Sequence, residues 1–247
     1  MIDWRSDTVT RPVPEMLACM MQAAVGDDVF KEDPSVNALE AYAADLFGME
    51  AALFCSSGTM SNQLAINVQT QPGDEILCDR QSHIFLYETG GLAVHSGVQA
   101  HILQGDAGRL NPEMLQPHIH AEHDWLTRTQ MVCIENTVNR AGGTYYTLQE
   151  AQALRTFCNT HHLKLHIDGA RIFNALTETG EDPKSWGALA SLAAPISMIQ
   201  WSLAISGYSA AISLKTCLNK PSVCFMMLSL VKQVTFLRPY NLAYSNA

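Results

Sequence analysis

Short apolar runs of strand length recur through the first 180 residues, at 51–55, 75–78, 99–103, 131–134 and 164–167, and several end in Ser, Asp or Glu. Runs of four to eight residues with polar boundaries predict buried strands. Helix-start chemistry falls between them. Asp33-Pro34 and Asn111-Pro112 each place a capping side chain ahead of a proline suited to the first helical position, and Thr147-Leu148-Gln149-Glu150 is a capping box that opens a helix to about Thr160. Strand and helix in alternation predict an α/β fold, a mainly parallel sheet with flanking helices, because parallel neighbours need a crossover and the crossover is usually a helix. Ligands in such folds gather at the carboxyl ends of the strands, so the residues just past each run are where chemistry is expected. Pro72-Gly73-Asp74 and Ala141-Gly142-Gly143 read as turns.

The pattern breaks near Pro195. All 24 acidic residues lie at or before Asp182, so residues 1–195 carry them against 11 Lys and Arg, whereas residues 196–247 carry only Lys215, Lys220, Lys232 and Arg238. We therefore divide the chain into a large domain over 1–195, incomplete at its C-terminal side, and a divergent or non-native tail over 196–247. The 30 residues between Lys184 and Lys215 hold no charged side chain, a length that raises a membrane span. Gln200 and the serines at 197, 202, 206, 209 and 213 dilute its apolar character and no basic cluster flanks it, so the expectation is no membrane. A net charge of −9 leaves little to replace the counterions of a phosphate backbone, which argues against nucleic acid as a partner. Seven cysteines with no CxxC pair predict reduced thiols, and the opening residues have no apolar signal core, so a cytoplasmic location is expected.

Three groups of residues can carry chemistry. Ser57-Gly58-Thr59 lies between an apolar run and a helical one, where backbone N–H groups and hydroxyls can cradle a phosphate or simply cap a helix. Asp168-Gly169-Ala170-Arg171 closes the last apolar run, and an acid there can keep a heteroaromatic nitrogen protonated while the arginine faces an anionic oxygen. The same two residues also make an ordinary capping pair. Of the nine histidines, His83 sits in a loop past a strand end, where it can stack on a ligand or move protons. His118, His120 and His123, and the pair His161-His162, lack the helical spacing of metal ligands, so they are expected on solvated surface and no metal is expected.

Met1 to Pro12, Val25 to Asn37, Ser57-Gly58-Thr59-Met60-Ser61-Asn62, Ser82-His83, Glu135-Asn136-Thr137 with Gly142-Gly143, and His166 to Ala175 closely resemble the low-specificity L-threonine aldolases. The resemblance covers about 175 residues in six ordered blocks. It implies the aspartate aminotransferase-like fold (fold type I), pyridoxal 5'-phosphate as cofactor, and homodimers or homotetramers that share sites between chains. The implied reaction cleaves L-threonine or L-allo-threonine, small β-hydroxy-α-amino acids, to glycine and acetaldehyde. By the same resemblance Ser57, Gly58 and Thr59 hold the cofactor phosphate, Asp168 its ring nitrogen and Arg171 its phenolic oxygen. His83 stacks on the ring, Ser6 contacts the substrate carboxylate, and His123 stands near the place of a second family histidine. The family's cofactor-bound lysine lies in a Ser-Lys-Gly context about thirty residues past the acid, where this chain has Ile199-Gln200. The alternative expectation is thus a truncated, catalytically inactive homologue.

Overall fold

The computed structural model describes residues 3, 6–9 and 11–190. In chain order the elements are α1 (Pro14–Gln22), α2 (Pro34–Phe47), α3 (Gly58–Asn67), β1 (Asp74–Asp79), α4 (His83–Leu86), β2 (Gln99–Leu103), α5 (Pro112–Leu115), β3 (Arg128–Glu135), α6 (Leu148–Thr160), β4 (Lys164–Asp168), α7 (Ile172–Thr179) and α8 (Pro183–Gly187). The helix starts form by the expected chemistry. Asp33 accepts from the backbone N–H groups of Ser35 and Val36, and Thr147 and Glu150 complete a reciprocal capping box. Gly48 ends α2 in the left-handed region, at φ 64°, where a residue without Cβ carries no steric penalty.

The four strands form one parallel sheet in the order β2-β1-β3-β4. Its central strands, β1 and β3, are buried on both faces, as a parallel sheet covered by helices requires. Ile76, Cys78, Met131 and Cys133 pack on one side with Ile66 of α3 and Ile84. The alternate residues Leu77, Val132, Ile134 and Leu165 pack on the other with Leu154 and Cys158 of α6, Phe47 of α2 and Trp186 of α8. This period of two turns an unbroken apolar run into a three-layer core. The register sets Glu135 beside Asp168, so the carboxyl ends of the central strands finish on acids.

One expected strand is absent. Residues 51–55 run without strand pairing, and the Phe54 N–H donates instead to Glu40 of α2 at 2.8 Å. The segment joins none of the described strand ladders, and an extended run needs a paired neighbour to become a strand. The helix expected from Asn111-Pro112 is only one turn, stopped by Pro117 in the turn that follows. The boundary near 195, the tail and most of the uncharged run lie outside the described residues. Among the described residues no helix is long and apolar enough to cross a membrane.

Candidate active site

The end of β4 and the start of α3 meet through a single amide. Asp168 Oδ1 accepts from the Ala170 N–H at 3.1 Å, and its Oδ2 accepts from Asn62 Nδ2 at 2.9 Å. Asn62 lies one helical turn beyond Gly58. Ser57 caps α3 by accepting from the Met60 N–H at 3.1 Å, and the first N–H groups of a helix have no partner within the helix itself. Asp168 and the Ser57-Gly58-Thr59 turn thus belong to one hydrogen-bonded unit.

Asn62 is used to capacity. Its second amide hydrogen goes to Glu88 Oε1 at 2.8 Å, and its carbonyl oxygen lies 3.1 Å from His166 Nε2. An amide oxygen only accepts, so His166 carries its proton on Nε2 in this arrangement. Burial pushes the pKa of His166 down to about 4 against the opposing charge of Asp168, which leaves the ring neutral near pH 7. Glu88 also accepts from Gln63 Nε2 and lies 3.0 Å from His83 Nδ1. That contact is the main cause raising the His83 pKa, with burial opposing it and the charge of Asp168 assisting.

Glu135 fixes the main chain of the same histidine, its carboxylate accepting from the His83 N–H at 2.9 Å and the Asn139 N–H at 3.0 Å. Burial, then the Asp168 charge, push the Glu135 pKa up to about 7. Arg171 is held from the N-terminal segment, where Asp7 accepts from Nε at 2.6 Å and from Nη2 at 3.0 Å in a fork. The Arg171 side chain lowers the Asp7 pKa in turn. Asp7 brings Ser6 to this side of the molecule, with the Ser6 hydroxyl 3.2 Å from Asp7 Oδ1 and accepting from Thr8.

The structure therefore joins Asp168, His83 and the α3 turn through Asn62 and Glu88, and it joins Ser6 to Arg171 through Asp7. It does not bring His123 into either group. That ring is exposed and stacks on Trp125 with centroids 4.6 Å apart, in a turn ahead of β3 that points the side chain outward. Sequence reading missed Asn62, Glu88, Glu135, His166 and Asp7 as site residues. For Asn62 a signal existed, since polar Asn62 and Gln63 interrupt the buried face of a core helix. His118 and His120, expected on solvated surface, are instead half-buried beside β1 and β2.

The family model of the beta-eliminating lyases matches residues 3–192. The chain is 42% identical over 181 residues to a low specificity L-threonine aldolase of Escherichia coli, covering 73% of this chain and 54% of that protein. It is 37% identical over 191 residues to a low specificity L-threonine aldolase of Saccharomyces cerevisiae, covering 76% and 49%. A solved threonine aldolase structure from Leishmania major superposes with a TM-score of 0.69 at 20% identity, over 93% of this chain and 75% of that one, a likeness of fold. The chain spans about half the length of the curated relatives it matches.

Proposed function

Because the chain belongs to the beta-eliminating lyase family, we propose that its site binds pyridoxal 5'-phosphate and serves the cleavage of L-threonine or L-allo-threonine to glycine and acetaldehyde. The observation that carries this reading is the Asn62 bridge, which ties the carboxylate of Asp168 to the helix that starts at Ser57-Gly58-Thr59. When bound, the cofactor supplies an electron sink that depends on a protonated ring nitrogen. Asp168 would hold that proton in a charge-assisted hydrogen bond, its carboxylate being fixed by the Asn62 amide and the Ala170 N–H. Ser57, Gly58 and Thr59 would take the phosphate at the positive end of α3. His83 would cover the ring and move a proton, with Glu88 raising its affinity for one. Arg171 keeps Nη1 outside the Asp7 fork for an anionic oxygen, and Ser6 would meet the substrate carboxylate.

The fit of such a group rests also on two buried polar atoms without a partner among the described residues, Asn136 Nδ2 and Gln63 Oε1. Their residues bond Asp168 through the main chain and Glu88 through the side chain. A bound polar group satisfies atoms of this kind, which otherwise cost about 1–3 kcal/mol each. As in the aldolases that the chain resembles, a homodimer or homotetramer is the assembly we expect.

The second reading to be tested is a site that holds the cofactor without covalent capture. Among the described residues Lys31 pairs with Glu40, Lys184 lies 3.8 Å from Asp45, and Lys164 opens β4 at the end opposite Asp168. Lys215, Lys220 and Lys232 lie outside the described residues. The test is aldehyde release from L-threonine by the cofactor-loaded full chain, measured against free cofactor. A rate above that background, lost in Asp168→Asn, supports the lyase. Background rate together with no lysine adduct after borohydride reduction supports the second reading.

A further inference from the structure

The opposite end of the sheet holds a second cluster of ionisable side chains. Glu75, the second residue of β1, is fully buried. Its Oε2 accepts from Gln99 Nε2 at 3.1 Å and from Thr127 Oγ1 at 3.1 Å, and its Oε1 accepts from Thr129 Oγ1 at 3.4 Å. These are neutral donors, and a buried carboxylate needs positive charge nearby to offset the loss of water. Two imidazoles stand at the same oxygen, with His101 Nδ1 at 3.3 Å and His120 Nδ1 at 3.6 Å from Oε1. A third ring, His118, packs edge-on against His101 with centroids 4.8 Å apart.

The spacing is informative. Charge-assisted N–H···O contacts close to about 2.7–2.9 Å, well short of these separations. Ligands at ~2.0–2.1 Å from a tetrahedral ion are instead about 3.3–3.4 Å from one another. One donor atom from each of Glu75, His101 and His120 lies within 4.8 Å of the other two. The His101 and His120 side chains are 27% exposed, so the carboxylate is buried while the imidazole side is open to an entering ion. The surroundings also hold the donors in place: Nδ1 of His120 lies 3.0 Å from the Thr127 carbonyl, an acceptor, so it carries the proton there and leaves Nε2 as the ligating atom, while the His120 main-chain N–H donates to Thr129 Oγ1. Outer partners of this kind orient ligating side chains.

We propose that Glu75, His101 and His120 form a binding site for a divalent transition-metal ion of the zinc class, with His118 beside it as a further imidazole. Imidazole with one carboxylate is a donor set for zinc, copper or nickel, and unsuited to magnesium or calcium. Glu75 and His101 belong to neighbouring strands and His120 to the loop before β3, so the ion fastens that loop to the amino end of the sheet. The site is independent of the cofactor reading, because it shares no residue with the group around Asp168.

The test is zinc binding by the full chain, prepared without a histidine tag and in competition with a chromophoric chelator. We expect one zinc ion per chain, an affinity at least about tenfold lower in His101→Asn and in His120→Asn, and no change in His83→Asn. Zinc-edge X-ray absorption on the wild-type chain reads the ligands without any substitution, and we expect two or more imidazoles. The proposal is overturned if the wild-type chain loses all zinc to the chelator, or if the His101→Asn/His120→Asn double variant binds as tightly as wild type. It is equally overturned if the absorption shows fewer than two imidazoles, or if His83→Asn abolishes binding, which would place the ion at His83, Glu88 and Asp168.

Discussion

The two ends of one sheet bury carboxylates in different ways. At the carboxyl end Asp168 and Glu88 share a single amide, Asn62, whose every polar atom is committed. At the amino end Glu75 takes three separate neutral donors from three residues and has two half-exposed histidines at one oxygen. The first arrangement gathers Asp168, Glu88 and His166 on one amide and sets its geometry tightly. The second spreads its hydrogen bonds and sets two partly exposed histidines beside one carboxylate oxygen. Tight geometry suits a site that must fix a cofactor ring, and a redundant cradle suits one that gains its order on binding.

The sharpest way to break this comparison is Asn62→Ala. It removes the partner that Asp168, Glu88 and His166 share, leaving Asp168 the Ala170 N–H and Glu88 the Gln63 amide, and the expected cost is about 2–3 kcal/mol in chemical denaturation, the scale for buried hydrogen bonds left unmade. A cost below about 1 kcal/mol would mean that the carboxyl end is as redundant as the amino end.

A comparable effect follows from pH. His166, with a pKa pushed down to about 4 from 6.5, gains a proton on unfolding between those values, so its contribution to stability grows as pH rises through that window. Glu135, pushed up to about 7 from 4.5, loses a proton on unfolding between those values, so its contribution shrinks as pH rises. The raised pKa of His83 acts in the direction of Glu135, its contribution being complete below 6.5 and lost as pH climbs through the folded value. In the wild-type chain the opposing slopes offset one another. Glu135→Gln uncovers His166, and stability should rise from pH 4.5 to 6.5 by about 2–3 kcal/mol. A pH response identical to wild type would show that Glu135 is not held protonated by its surroundings.

The smallest effect belongs to the amino end. Thr129→Ala removes one donor to Glu75 and the acceptor for the His120 N–H. Its expected cost is about 1 kcal/mol, the scale of a typical hydrogen bond. A loss as large as that of Asn62→Ala would erase the distinction between the two ends.

How much of this was legible in the sequence depends on whether the partners are local. The capping box at Thr147 and Glu150 and the Asp33-Pro34 start formed as read, because their physics is contained within four residues. The run at 51–55 has the composition of a strand, but whether it pairs depends on a neighbour that composition does not specify. Asp168 was legible as a strand-end acid, and its link to the turn at Ser57 followed from parallel topology. The roles of Asn62 and Glu88 were not, since a polar residue on a helix gives no sign of which carboxylate it will meet. His101 and His120 stand 19 positions apart and reach Glu75 only through strand register and a returning loop, so no spacing rule along the chain could group them. His123 is the converse case: it lies near a motif in sequence, while its turn carries it outward onto Trp125.

The central claim is that Asp168, held by Asn62, makes the carboxyl end a pyridoxal phosphate site. Equilibrium dialysis of the cofactor against the full chain and its Asp168→Asn variant tests this most directly. The account predicts one cofactor bound per chain and an affinity lower by about ten- to a hundredfold in Asp168→Asn, as for loss of one charge-assisted hydrogen bond, with His101→Asn binding as wild type does. Equal affinity of the wild-type and Asp168→Asn chains would contradict it.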